Sequence, residues 1–196
     1  MKEHTARLLE RLGDRGVVLA ADPQIDPLLE GLFDCAEGRL PHRPVRRDAL
    51  VERVADALLA SDDTPDREAL VRLNASDLYL ALALAGKDLR ALEIAESELM
   101  PAVRQAVGRI DESTAFVDEV SRRARERLLV GDGATPPAIN HYRGTGPLAR
   151  WVRMIATRIA LEMKQGDGGP DGERGPEGEQ GAALSEAPGP DDRRSR

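Results

Sequence analysis

The sequence predicts an all-α protein. Three observations carry that expectation. The 196-residue chain leans on Ala, Leu, Arg and Glu, its aromatic content is only 3%, and its apolar residues recur at three- and four-residue intervals between Gly- and Pro-bearing breaks. The first two favour helix over strand, and the third is the period of an amphipathic helix. The length is sufficient for a real hydrophobic core.

Helical patterns are expected around residues 5–12, 27–36 and 48–60, separated by breaks at Pro23, at Pro41 and Pro44, and at Pro65. Leu28, Leu29, Leu32 and Phe33 share one face, as do Leu50, Val51, Val54, Ala55, Leu58 and Leu59. Residues 1–72 therefore read as a small helical N-terminal unit without recognisable chemistry. A second helical domain is expected over 73–165. Asn74 and Asp77 provide capping oxygens for a helix entering at Leu78, and Gly86 is placed to end it. The next apolar series, Leu89 to Ile110, runs through Pro101, which must kink a helix or start a new one. Phe116, Val117, Val120, Ala124 and Leu128 form a further stripe, with i,i+4 pairs expected between Asp118 and Arg122 and between Glu119 and Arg123. A last helix starts near Thr145, Gly146 and Pro147. From 166 to 196 the chain is Gly- and Pro-rich, with eight acids against four arginines and almost no large apolar group, so a disordered acidic tail is expected.

The formal net charge of −7 would argue against a nucleic-acid partner if it were evenly spread. It is not. Over 122–164 nine basic residues face three acids. On a helical wheel for the last helix, Leu148, Trp151, Val152, Ile155, Ile159 and Met163 fall within about 120°, and Arg150, Arg153, Thr157 and Lys164 within about 60° on the opposite side. This predicts a core face, with Trp151 in it, and a basic ridge. Arginines opposite an apolar stripe also occur on ordinary surface helices, so the pattern alone leaves both readings open. The preceding loop brings Asn140, His141, Tyr142 and Arg143 together, types able to stack on or hydrogen-bond to an unpaired base.

The strings FVDEV at 116–120, RERLL at 125–129 and YRGTGPLARWVRMIATRIAL at 142–161 resemble domain 2 of sigma-70-family RNA polymerase sigma factors, particularly the extracytoplasmic-function type. The resemblance implies a helical bundle and a transcription initiation factor with two partners. One is core RNA polymerase, docked through Asp118, Glu119, Arg122, Arg123 and Arg127. The other is partly single-stranded promoter DNA of the −10 region, bound through Asn140, His141, Tyr142, Arg143, Arg150, Arg153, Thr157 and Lys164. An anti-sigma factor is a further partner of such proteins. Family members also carry a domain 4 with a helix-turn-helix; here the Gly/Pro-rich segment follows instead, and domain 4 is expected to be missing. Two alternatives stay open: a sigma-derived module that binds polymerase without promoter recognition, and a helical scaffold.

Other chemistry is not expected. His4, His42 and His141 lack metal-ligand spacing, and Gly144, Thr145 and Gly146 follow no strand and lack a phosphate-loop lysine. No cofactor, small-molecule substrate or enzyme activity is expected. Cys35 is the sole cysteine and no stretch reaches membrane-span length. The chain therefore reads as soluble and cytoplasmic, with no membrane partner.

Overall fold

The computed structural model describes residues 2–131 and 135–166. These form ten α-helices and no strand: α1 (Glu3–Leu12), α2 (Val17–Ala20), α3 (Ile25–Arg39), α4 (Arg47–Leu59), α5 (Arg67–Arg72), α6 (Ala75–Ala85), α7 (Leu89–Ile94), α8 (Met100–Gly108), α9 (Thr114–Leu129) and α10 (Leu148–Gly166). The all-helical expectation holds. Among the described residues no helix is long and apolar enough to cross a membrane. The acidic stretch expected to be disordered lies outside the described residues except for Gly166, the last residue of α10.

Local chemistry accounts for several helix ends. Asp66, Asn74 and Asp88 accept at their side chains from the N–H groups of Ala69, Asp77 and Ala91 at 2.7, 3.3 and 2.9 Å, capping α5, α6 and α7. Gly86 does terminate α6, but with ordinary helical dihedrals; the left-handed residue is Lys87, at φ 58°. At Pro101 the chain resolves the conflict by opening one wide π-type turn, Ala95–Leu99, and restarting as α8 with the proline in its first turn.

One contiguous apolar core runs from Leu8 to Ala160. The central α6, built almost wholly from Leu and Ala, is buried nearly all round: Leu78, Tyr79, Leu80, Ala81, Ala83 and Leu84 are each at most 2% exposed. It packs most extensively on α3 and also on α4, and the short 3-10 turn Ala138–His141 lies against it as well. The division at 72/73 is therefore not a gap in the packing, since α6 has its main partner in the first unit. At the other end, α10 packs against α8 and α9.

Asp77, 8% exposed, fastens these parts together. Its carboxylate accepts from Arg39 of α3, from Asn74 Nδ2 at 2.9 Å and from the backbone N–H of Leu148 at 2.8 Å. The N-terminus of α10, expected to start near Thr145, Gly146 and Pro147, thus receives a charged acceptor from α6, which also suits the positive end of the helix dipole.

Candidate nucleic-acid interface

The first two turns of α10, the end of α8 and the chain just before α10 enclose a groove of about 770 Å³. Arg109, Arg150 and Arg153 line it together with Tyr142, Pro147, Trp151, Met154 and Thr157. Arg109, Arg150 and Arg153 are all exposed, and none has a carboxylate or hydrogen-bond partner among the described residues. Other arginines nearby are committed. Arg104 pairs with Asp118 at 2.8 Å, Arg125 with Glu96 at 2.6 Å and Arg158 with Glu162 at 2.9 Å. In a chain with 35 acids, three unneutralised guanidiniums around one groove make a local positive field in otherwise negative surroundings.

The register of α10 explains the groove's floor. Its fully buried line is Leu148, Val152, Ala156 and Ala160, each 0% exposed and four residues apart. The two alanines let neighbouring helices approach closely, so the helix is rotated relative to the expectation from large apolar residues alone. Trp151, Ile155, Ile159 and Met163 are consequently half-buried on its flank, and Met154 is 61% exposed. Trp151, expected in the core, instead sits at the edge of the groove, with its ring 5.6 Å from that of Tyr142 at an interplanar angle of 60°. Trp151→Ala should thus cost about 1–3 kcal/mol in chemical denaturation, less than the 3–5 typical of a fully buried tryptophan.

Tyr142 is placed differently from the expectation of a free stacking ring. It is 2% exposed and its hydroxyl donates to the Gly146 carbonyl, so it supports Trp151 from beneath. Burial pushes its phenol up, aided by the negative charge of Asp77, and burial likewise raises Tyr79. These are the chain's two tyrosines. A phenol whose folded value lies above its unfolded value of about 10 contributes stability that is complete below that pH and is lost as pH rises through the folded value. An ultraviolet titration should accordingly show no phenolate at the ordinary value in the folded protein; phenolate absorbance should appear together with loss of helicity.

Asn140, His141 and Arg143 are exposed on the loop beside the groove and do not line it. Thr157 is half-buried at its far end. Lys164 leaves the expected ridge altogether: Nζ pairs with Asp111 at 2.6 Å and lies 5.3 Å from the centre of the Phe116 ring. Arg109 went unrecognised in the sequence. The available signal was that neither Gln105 nor Ala106, one turn earlier, could neutralise it.

The residues expected to meet polymerase are largely engaged with one another along α9. Glu119 pairs with Arg122 at 2.7 Å and Arg123 at 2.8 Å, Arg122 also reaches Glu126 at 2.6 Å, and Asp118 is bound to Arg104 of α8 rather than to Arg122. Hydrogen bonds from Arg122 and Arg123 hold the Glu119 carboxyl down to about 2. Such a carboxylate contributes fully above the unfolded value of about 4.5 and loses its contribution as pH falls through the folded one. An NMR titration should therefore leave Glu119 ionised at pH 4, where exposed glutamates are mostly protonated. Arg123 and Arg127 form part of the rim of a second groove, about 870 Å³, whose walls include Ile155, Ile159 and Met163 between α9 and α10. Comparison of the chain with protein-family models, with curated proteins and with solved structures gives no match.

Proposed function

We propose that this chain is a sigma-like transcription factor that takes −10 type promoter DNA, in its opened single-stranded form, in the groove of Arg109, Arg150 and Arg153, and that docks on core RNA polymerase through α9. The observation that carries the proposal is the set of three arginines without a partner among the described residues, around a half-exposed Trp151. Cations that track phosphates beside an aromatic surface are what a single strand requires. A bundle opening into a groove fits that ligand better than a duplex, whose major groove accepts a projecting helix or ribbon. The polymerase part rests on the resemblance of 116–161.

The test is a titration of labelled single-stranded and duplex promoter oligonucleotides at several salt concentrations, followed by the emission of the single tryptophan. Three phosphate contacts on a single strand give a slope of log affinity against log salt of about −2. Binding without salt dependence, or without a change in Trp151 emission, would sink the groove assignment. A second reading is favoured by the groove between α9 and α10, whose wall of Ile155, Ile159 and Met163 suits an apolar protein segment: the chain binds polymerase without recognising DNA. Co-purification with core polymerase combined with no oligonucleotide binding would select it.

A further inference from the structure

The N-terminal helices show no chemistry of their own in the sequence, yet one of their charged side chains ends in the nucleic-acid loop. Arg53 lies in the middle of α4 and is half-buried. Its Nη1 donates to the carbonyl of Asn140 at 2.5 Å and to that of Tyr142 at 3.3 Å. No carboxylate forms a hydrogen bond or ion pair with it among the described residues, and Asp56, one turn further along its own helix, is held by Arg11 at 3.0 Å. Buried guanidiniums are ordinarily matched with acids, since removing a charge from water is costly. Here the charge is satisfied by main-chain oxygens of the segment that leads into the groove and contributes Tyr142 to it.

That segment packs on α6 and α9 through its buried Ile139 and closes its own 3-10 turn, but its hydrogen bonds to other elements are few. Asn74 N–H donates to the Gly144 carbonyl at 2.9 Å, the Tyr142 hydroxyl donates to Gly146, and Leu148 N–H donates to Asp77. All three act at or after Tyr142, or within the loop itself. Arg53 is the tie from outside that reaches the Asn140 and Tyr142 carbonyls, directly before the ring that supports Trp151.

We infer that Arg53 is a positioning residue for the groove: reaching across from α4, it holds 138–147 in the conformation that sets Tyr142 under Trp151. The inference rests on the proposed single-strand site for its functional consequence, though not for its structural one. It gives α4 a role in the site: the first sixty residues brace a groove whose arginines all lie beyond residue 100.

The test compares the full-length wild type with Arg53→Met, which removes both bonds, and Arg53→Lys, which keeps the charge and can hold one carbonyl. Amide hydrogen exchange, Trp151 emission and affinity for a single-stranded oligonucleotide are read on each, well below the melting temperature. Charged-donor hydrogen bonds of this kind set an expected acceleration of about tenfold in exchange confined to 138–147 for Arg53→Met, with a shifted Trp151 emission and a loss of affinity of about tenfold. Arg53→Lys should recover part of each. Exchange that rises evenly over all helices, or local loosening with unchanged affinity, would overturn the positioning role. Should Arg53→Met fail to fold, Arg53→Lys decides by the same readouts. Should the wild type bind no oligonucleotide, the groove's assignment fails, and unchanged exchange and emission in the variants would separately overturn the role of Arg53.

Discussion

Replacing Gly144 by alanine should destabilise the protein by about 3 kcal/mol, one of the largest effects expected of a single methyl group in this chain. Two costs combine. Gly144 has φ 72°, a left-handed conformation that L side chains rarely adopt. A Cβ placed there would meet Leu78 Cγ at 2.7 Å and Cδ1 at 2.8 Å, and Leu78 is 0% exposed, so it has nowhere to move. Strain and overcrowding each contribute about 1–3 kcal/mol. Its carbonyl also accepts from Asn74 N–H, which ties the loop to the start of α6. Chemical denaturation should therefore show a lower midpoint, and the loss of Trp151–Tyr142 packing should redden the tryptophan emission. Gly146 is the control: its φ is 149°, but a Cβ there would meet nothing within 4 Å. Its alanine variant should lose less than that of Gly144. Equal losses at the two positions would mean that backbone conformation alone, and not the approach to Leu78, sets the requirement for glycine.

The second large effect concerns binding. Arg150→Glu combined with Arg153→Glu should weaken single-strand affinity about a hundredfold at low salt, as expected for losing about 3 kcal/mol of charge-assisted contacts. The salt slope should fall towards about −0.7, the value left by Arg109 alone. Helicity should not change, because both side chains are exposed and partnerless while α10 is held by Leu148, Val152, Ala156 and Ala160 on its other side. Arg158→Glu is the matched comparison. It lies on the same helix but is paired with Glu162 at 2.9 Å and lines the other groove, so its effect on DNA should be small. If the double variant binds as the wild type does, the three arginines are a solvated face and the proposal in its DNA-binding form is lost.

Much of this architecture was legible in the residue order. Periodicity placed α1, α3, α4, α6, α9 and α10, and the cap at Asn74 and the break at Pro101 marked where helices begin. Helix formation is a local property, governed by neighbours three and four residues away, and so is the absence of any acid within one turn of Arg150 and Arg153. The sequence by itself therefore determined an all-helical chain and an exposed, unneutralised pair of arginines at the start of its last helix.

Tertiary structure decided the rest. A wheel locates an apolar arc about 120° wide but does not say which edge of it turns inward. Close approach at Ala156 and Ala160 settled that, leaving Trp151 half-exposed. Pairing across helices is likewise invisible to spacing. Asp118 went to Arg104, Lys164 to Asp111 and Arg53 to the Asn140 carbonyl, over separations of 14, 53 and 87 residues. The physical reason is the same in each instance. A charge chooses the best-placed partner in space once the core has fixed the helices, and that placement depends on how side chains of different size interlock along the whole bundle.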